Sequence, residues 1–291
     1  MRKIYKAIIV LMAALLIVSA CVNVYYIFFT PGCYLQSPEE IYIMESGILK
    51  NNLAMRQEND VALRYDFEHE DYAKLILQYQ IDQIAGEGSE WERAARLMNE
   101  FAPRLRHHST YDNHVKMTAI ALLAYSLDNR SQGINCRSKA QILNEMCLAL
   151  GIYARKVWIM PYSGYDNDCH VVNEIWDSTL QKWVMLDITN NQYWIDGEGT
   201  PLSVLEIREK GANREFCTPI TYGESPEKPE KLLQKHESEF LYIMKNMVYM
   251  QYCEQYTVGE SEKIYLLFPE NLKTKYEHLI SESSIVRSPT E

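Results

Sequence analysis

The sequence predicts an α+β fold in which a helix is followed by an antiparallel β hairpin. Apolar or small residues at positions 136, 140, 143, 147 and 150 indicate the helix, because steps of three and four place them on one helical face. Two strand-like runs, 170–176 and 182–188, indicate the hairpin, since only a short polar segment separates them. Both element types are therefore expected near the middle of this 291-residue chain.

The predicted helix begins at Cys136 and ends just before Gly151, a residue suited to the left-handed conformation that follows helices. A thiol in the first turn lies at the positive end of the helix dipole, where free N–H groups favour a thiolate. Arg137 and Lys139 add positive charge nearby. We therefore predict that Cys136 is a nucleophile whose own N–H helps to hold an oxyanion. The alternative is a packing role, which we predict for Cys147 on the same face.

His170 begins the first strand-like run, and Asp187 lies at the end of the second. A short turn would pair residue 177 with residue 182. In that register His170 is the diagonal neighbour of Asp187 on the same sheet face, with the two backbones about 7–8 Å apart. A slip of one residue would separate them. We predict that His170 is a general base oriented by Asp187, the alternatives being an ordinary polar histidine and a turn-forming aspartate.

The same region resembles the transglutaminase-like superfamily in three blocks. The first contains Gly-Ile-Asn-Cys and then Leu-Gly-Ile-Tyr-Ala-Arg-Lys-Val (133–157), the second is His-Val-x-x-Glu-x-Trp (170–176), and the third is Lys-Trp-Val-x-Leu-Asp (182–187). The resemblance covers residues 85 to 200, and the Cys, His and Asp of the family map onto Cys136, His170 and Asp187.

The resemblance implies a papain-like arrangement, with the nucleophile helix packed on an antiparallel sheet that carries the histidine and the aspartate. It also implies thioester chemistry on an amide or ester carbonyl, of the cysteine peptidase, amidase or transglutaminase type, without a cofactor or a metal. A second oxyanion-binding group is not identified, and Trp91 is assigned to the core. The alternative function is a non-catalytic surface binding module. A metal-dependent hydrolase is weakly supported, because His107 and His108 lack further spaced ligands.

Composition restricts the partners. The hydrophobic content of 47% and the charged content of 23% are typical of globular proteins. The formal net charge of −10 argues against a nucleic-acid partner, because no basic stripe is available to meet phosphates. We expect a protein or peptide substrate, with components of the cell envelope included.

The N-terminal segment predicts attachment to the cell membrane. Residues 7–29 are almost entirely apolar, and a helix of about 20 such residues spans a bilayer. Arg2, Lys3 and Lys6 precede this stretch, which predicts an N-terminus inside the cell and a domain on the extracytoplasmic side. The alternative is a lipoprotein, because Val-Ser-Ala-Cys ending at Cys21 resembles a lipobox. The apolar run continues past that cysteine, and this favours an uncleaved signal anchor.

We divide the chain into four parts. These are a signal anchor or lipoprotein signal segment (1–29), a linker and helix (30–60), a transglutaminase-like domain (61–222), and a C-terminal α/β extension that completes or flanks the domain (223–291). Patterning further predicts strands at 61–67, within 240–256 and at 263–268, and helices at 72–84, from a cap at Ser89 to 101, at 117–127 and within 223–235.

The remaining cysteines and one acidic segment have structural interpretations. Cys33, Cys217 and Cys253 are candidates for disulfide pairing on an extracytoplasmic chain. Cys169 is expected to pack on the sheet face opposite His170. Residues 166–168 (Asp-Asn-Asp) predict a turn at the rim of the active-site cleft.

Overall fold

The computed structural model describes residues 2–29, 37–128, 132–225 and 239–290. The described residues form the predicted α+β fold around an antiparallel sheet. The strands are β1 Arg64–Tyr65, β2 Ala154–Met160, β3 His170–Asp177, β4 Lys182–Asp187, β5 Gln192–Ile195, β6 Thr218–Ile220, β7 Tyr249–Cys253, β8 Gln255–Tyr256 and β9 Ile264–Leu267.

The helices cover both faces of this sheet. They are α1 Arg2–Phe29, α2 Pro38–Asn51, α3 Glu70–Tyr79, α4 Ile81–Ala85, α5 Glu90–Phe101, α6 Ala119–Asp128, α7 Cys136–Ala149, α8 Val204–Asn213, α9 Glu239–Lys245 and α10 Glu282–Val286. One hydrophobic core joins helices α3 to α7 to one face of the sheet. A second core joins α2, α8 and α9 to the opposite face. Every residue of β3 is consequently buried.

The sheet has the order β6-β5-β4-β3-β2-β7-β9 in the described ranges, and its neighbouring strands are antiparallel. The hairpin register is the predicted one, because Asp177 pairs with Lys182 and Asn173 pairs with Leu186. Continuing that register by one step places residue 172 opposite Asp187, so His170 and Asp187 lie on the same side of the sheet.

Helix α7 begins at Cys136 and ends at Ala149, as the sequence predicts. Asn135 is its N-cap, and the side-chain oxygen of Asn135 accepts a hydrogen bond of 3.0 Å from the Ser138 N–H. After the helix, Gly151 has a φ of +72°, the left-handed conformation expected at that position.

Two further residues of the sequence blocks form a buried ion pair between β2 and β3. The Arg155 guanidinium donates to Oε2 of Glu174 at 2.6 and 2.9 Å, and both side chains are buried. The guanidinium also lies 3.7 Å from the centre of the Trp183 ring and donates to the Ile285 carbonyl. The second oxygen of Glu174 accepts from the Val204 N–H. Because these contacts join three parts of the chain, we assign this pair a structural role.

The C-terminal part of the chain contributes to the same sheet. Strand β7 pairs with β2, and β9 pairs with β7. The predicted strand at 263–268 is confirmed as β9, whereas the predicted strand at 61–67 contains only β1, which pairs with β8. The four-part domain division stays a prediction, and most of the helix predicted within 223–235 lies outside the described residues.

The predicted helix at 72–84 is wrong in one respect. Gln80 has a φ of +52° and separates α3 from α4, because the chain turns there to bring α4 against α5. The predicted helices from the Ser89 cap and at 117–127 are confirmed as α5 and α6. Ser89 and Glu92 form a capping box at the start of α5.

Helix α1 is a candidate membrane anchor or signal sequence. Its stretch Ile4–Tyr25 is long and apolar enough to cross a bilayer, and its side chains are exposed. Cys21 lies exposed on this helix. Cys217 and Cys253, proposed above for disulfides, are buried free thiols, and Cys33 lies outside the described residues.

Candidate active site

A cleft of about 720 Å³ lies at the end of the sheet where β3 begins and β4 ends. A cleft of this size is typical of a ligand-binding site. Its walls come from the start of α7, the segments around β3 and β4, and helices α2 and α9. The residues used below that line it are Glu45, His107, Asn135, Cys136, Arg137, Asp168, Cys169, His170, Asn190, Tyr242 and Lys245.

His170 and Asp187 form a buried pair beside this cleft. Nε2 of His170 lies 2.8 Å from Oδ2 of Asp187, and both side chains are almost fully buried. Since Asp187 engages Nε2, the other ring nitrogen of His170, Nδ1, is the one left to exchange a proton with a reacting group. The ring of Tyr242 packs edge-on against the imidazole, with centroids 5.5 Å apart.

Asp187 also forms the turn that follows β4. Its Oδ1 accepts hydrogen bonds from the Thr189 N–H at 2.9 Å and the Asn190 N–H at 3.3 Å. The Asn190 side chain donates to Oδ2 at 3.0 Å. The sequence analysis gave Asp187 two alternative roles, orientation of the histidine and formation of the turn. In the structure this carboxylate contacts both His170 and the turn.

Electrostatic effects favour the charged forms of both partners. Burial alone would lower the pKa of His170, but the Asp187 carboxylate and the nearby Cys136 thiol raise this pKa to about 10. Burial likewise opposes ionisation of Asp187, yet the His170 charge and the turn N–H groups hold the pKa of Asp187 below its usual value. The pair therefore favours imidazolium and carboxylate at neutral pH.

Cys136 lines the cleft at the first residue of α7 and is half-buried. The thiol lies close enough to the His170 ring to contribute to the raised pKa of that histidine. The N–H groups of Cys136 and Arg137 belong to the first turn, where no helical partner exists. Within the described ranges they donate to no other group, so both remain able to hold a carbonyl oxygen.

Charged side chains hold the first turn of α7 against the sheet. Arg137 donates to both carboxylate oxygens of Glu260, with an Nε–Oε1 distance of 2.6 Å. Lys156 of β2 reaches the same Oε1 atom at 3.2 Å. Glu260 therefore links the residue after Cys136 to a sheet strand, which restricts movement of the helix start.

Lys139 lies buried one turn after Cys136. Its ammonium group has no ion-pair partner among the residues that the structure describes. Burial lowers the pKa of Lys139 to about 8, although the charges of Asp187 and Cys136 oppose this change. Lys139 is one of the two residues, with Arg137, that the sequence analysis expected to add positive charge near the cysteine.

Gly133 allows a second segment to approach the cysteine. The Ile134 N–H donates to the Arg106 carbonyl, and the His108 N–H donates to the Ile134 carbonyl, both at 3.0 Å. A Cβ atom on Gly133 would lie 2.7 Å from Cβ of His108, which is closer than real Cβ contacts. Glycine is thus required for this close approach, which also brings His107 to the cleft.

The expectation for Cys169 is wrong. Cys169 lines the same cleft as His170 instead of packing behind the sheet. The alternation of faces applies only within a strand, and β3 begins at His170, so Cys169 belongs to the preceding loop. Burial, the Cys136 thiol and Asp168 raise the pKa of the Cys169 thiol.

Helices α2 and α9 form a wall of the cleft that the sequence analysis missed. The Tyr242 hydroxyl of α9 donates to Asp168 at 3.0 Å, and the Lys245 ammonium lies 3.1 Å from both Asp166 and Asp168. Asp166 accepts from the Asp168 N–H, which confirms the predicted turn. Glu45 of α2 completes this wall. Tyr242 is 72 positions from His170 in the chain, so no local pattern signals the contact.

The other sequence candidates lie as follows. His107 lines the cleft, and burial together with the charge of Lys139 lowers its pKa. In the described ranges no group of three or more His, Cys, Asp or Glu side chains is arranged to hold a metal ion. Trp91 packs against the core with its ring 5.1 Å from that of Tyr193, as expected.

The family model of the transglutaminase-like superfamily matches residues 78–188. This range contains Cys136, His170 and Asp187, and the fold agrees with the α+β arrangement that the sequence resemblance implied. Over these residues the chain is therefore similar to the transglutaminase-like superfamily.

Comparison with other proteins adds two solved structures. A protein of Parabacteroides distasonis, provisionally described as a protease, is 14% identical with a TM-score of 0.26, over 55% of this chain and 30% of that chain. The Rad4–Rad23 complex bound to a 6-4 photoproduct UV lesion is 15% identical with a TM-score of 0.20. The match covers 70% of this chain and 46% of that chain. The chain spans less than half the length of either. No curated protein matches the chain.

Proposed function

We propose that the protein is a cysteine-dependent acyl hydrolase that acts on peptide or amide bonds through a thioester, with Cys136, His170 and Asp187 as its catalytic residues. The observation that carries this proposal is the 2.8 Å pair of His170 and Asp187, which lies beside a thiol at a helix N-terminus in the lining of the same cleft. A nucleophile, a base and a group that orients the base are the parts this chemistry needs.

Before acylation the proton of the Cys136 thiol resides on Nδ1 of His170, as a thiolate–imidazolium pair, and in the acylation step this thiolate attacks the carbonyl carbon of the substrate. The carbonyl oxygen becomes an oxyanion, which the N–H groups at the start of α7 stabilise. The imidazolium then gives its proton to the leaving amine, and the C–N bond breaks. The acyl group remains on the sulfur as a thioester.

In the second step water attacks the thioester while His170 accepts a proton from it. The C–S bond breaks, a carboxylic acid leaves, and the thiol is restored. Transfer to an amine, the transglutaminase-type outcome, would follow the same steps with the amine in place of water. We favour hydrolysis because water requires no second binding site.

The proposed location is the extracytoplasmic side of the cell membrane, with α1 as the anchor. The basic residues Arg2, Lys3 and Lys6 before the apolar stretch support this orientation. Attachment through lipid on Cys21 is the alternative. A protein or peptide of the cell envelope is the substrate that this location suggests.

The proposal is tested with the full-length protein in detergent and p-nitrophenyl acetate as an activated acyl donor. We expect rapid release of p-nitrophenol and an acetyl group on Cys136 that intact-mass and peptide analysis can locate. Cys136→Ala should abolish both signals. His170→Gln should slow acylation by at least about a hundredfold, in line with the contribution of general acid–base catalysis.

Cys169→Ala is the matched control, because Cys169 lies in the same cleft and its raised pKa keeps it a thiol at neutral pH. This variant should keep wild-type acylation. Acetylation of Cys169 instead of Cys136, or equal rates in the wild type and Cys136→Ala, would contradict the proposal. A chain that never acylates but still binds peptide would be the surface binding module.

A further inference from the structure

Glu45 lines the cleft as a buried carboxylate, and no positively charged side chain of the described residues contacts it. The residue is 7% exposed and lies on α2, which packs against α9 along one wall of the cleft. In the part of the chain that the structure describes, Glu45 accepts no hydrogen bond and forms no ion pair. A buried carboxylate left in this way costs several kcal/mol of desolvation in general, so proteins seldom retain one without a ligand or a partner.

The surroundings of Glu45 carry excess negative charge. The charge of Lys245 acts on Glu45 and lowers the pKa of its carboxyl, but the Lys245 ammonium is already bridged between Asp166 and Asp168 at 3.1 Å. We call the three carboxylates of Glu45, Asp166 and Asp168 the acidic wall. Three carboxylates against one ammonium leave this wall with a net charge of about −2.

The remaining basic groups at the cleft do not compensate this charge. Arg137 is engaged by Glu260, which also binds Lys156. Burial and neighbouring positive charge lower the pKa of His107, which favours its neutral form. Burial, the largest effect, also raises the pKa of the Glu45 carboxyl, as expected for a carboxylate that lacks a cation.

We propose that Glu45, at the acidic wall, binds an ammonium group of the substrate, so that the enzyme acts on peptide-like amides that carry a primary amine within the cleft. This inference rests on the proposed function of Cys136 and adds the substrate class. A primary ammonium supplies the positive charge and the N–H donors that the Glu45 oxygens lack. Glu45 lies outside the residues 78–188 that match the family model, so this specificity belongs to helix α2, which that model does not include.

The test uses N-acetylated tripeptidyl chloromethyl ketones with lysine or its uncharged analogue norleucine at each position in turn. The Cys136 thiolate displaces chloride from these probes, so that a C–S bond forms as the C–Cl bond breaks. The rate constant for labelling Cys136 in the full-length protein is measured by mass spectrometry. At one position or more we expect the lysyl probe to react about tenfold to a hundredfold faster, as one charge-assisted hydrogen bond predicts.

Glu45→Gln should remove this preference by slowing the lysyl probe alone. Glu39→Gln, which lies on the exposed side of the same helix, should retain it. Glu45→Gln should also unfold at the wild-type temperature or above, because it removes a buried charge. Glu45→Asp keeps the carboxylate and should retain part of the preference, so the inference stays testable even where Gln impairs folding.

Equal labelling by the lysyl and norleucyl probes at all positions would overturn the inference while leaving the proposed function intact. A lysine preference that persists unchanged in Glu45→Gln would overturn it as well. Failure of every probe to label Cys136 would overturn the proposed function, and this inference with it.

Discussion

Nε2 of His170 lies 2.8 Å from Oδ2 of Asp187, although the two residues are diagonal neighbours in the hairpin and do not face each other directly. The side chains bridge the distance between the backbones because both point to the same side of the sheet at its end. In the turn after β4, the N–H groups of Thr189 and Asn190 donate to Oδ1 of Asp187 and hold this carboxylate in place. The imidazole therefore has one defined orientation toward the cysteine.

The charge of His170 can be followed through the pH dependence of cysteine alkylation. Negatively charged iodoacetate is attracted by an adjacent imidazolium, whereas neutral iodoacetamide is not. Because Asp187 raises the pKa of His170, the ratio of the two alkylation rates at Cys136 should stay constant from pH 7 to well above neutrality, and fall only as the pH approaches about 10.

Asp187→Asn provides the comparison for this measurement. Without the carboxylate, only the Cys136 thiol still opposes the effect of burial, so the pKa of His170 should be lower than in the wild type and the ratio should fall at a lower pH. Identical pH profiles for the two proteins would show that Asp187 does not govern the charge of His170.

Glu174→Gln tests the structural role of the buried ion pair. Removal of one charge leaves the Arg155 guanidinium buried without its partner, so the free energy of unfolding should fall by about 3–5 kcal/mol. Chemical denaturation monitored by circular dichroism measures this change. Glu100→Gln, which breaks the exposed pair with Arg104, should cost less than about 1 kcal/mol. Similar losses for both variants would contradict the assignment.

Gly133→Ala tests the close approach beside the cysteine. The added Cβ would meet Cβ of His108 at 2.7 Å, so we expect a loss of about 1–3 kcal/mol in stability and slower alkylation of Cys136. Gly47→Ala is the control, for which we expect a gain in stability instead of a loss. Gly47 lies inside α2 with no atom within 4 Å of the added Cβ, and the substitution should stabilise the protein by about 0.5–1 kcal/mol.

Lys139→Met should have effects of opposite sign on stability and reactivity. Burial lowers the pKa of Lys139 to about 8, so the folded state binds this proton less tightly than the unfolded state, whose lysine pKa is about 10.4. Below pH 8 the wild type bears the full cost of the buried ammonium, and Lys139→Met should be more stable by about 1–3 kcal/mol.

This stability difference should shrink as the pH rises from 8 to about 10, because the wild type loses the proton in that range. Unfolding curves at pH 7, 8, 9 and 10 measure it. Alkylation of Cys136 should become slower in Lys139→Met at pH 7, since a positive charge near the thiolate is lost. A difference in stability that is independent of pH would refute the buried charge as its cause.

The features that the sequence predicted are those that depend on neighbouring residues. The helix from Cys136 carries its N-cap and its terminal glycine within the same segment, and the hairpin register follows from one short turn. The proximity of His170 to Asp187 depends only on the hairpin register. That is why the residues proposed for catalysis were recognisable before the structure.

The features that escaped prediction depend on distant contacts or on the exact end of an element. Tyr242 and Glu45 reach the cleft because α9 and α2 pack on the sheet face opposite α7, which no local pattern signals. The predicted sheet face of Cys169 is wrong because the alternation of faces along a strand does not apply to the residue before β3. The break at Gln80 requires a left-handed residue that is not glycine, and such a residue carries little signal in the sequence.

The pairing of β7 with β2 has a consequence for how the chain matures. While the ribosome has not yet produced residues 249–267, the hydrogen-bonding edge of β2 lacks its neighbour and α2 lacks α9. The wall of the cleft that α9 forms and the sheet edge beside β2 thus become complete only after residues 239–267 have been synthesised.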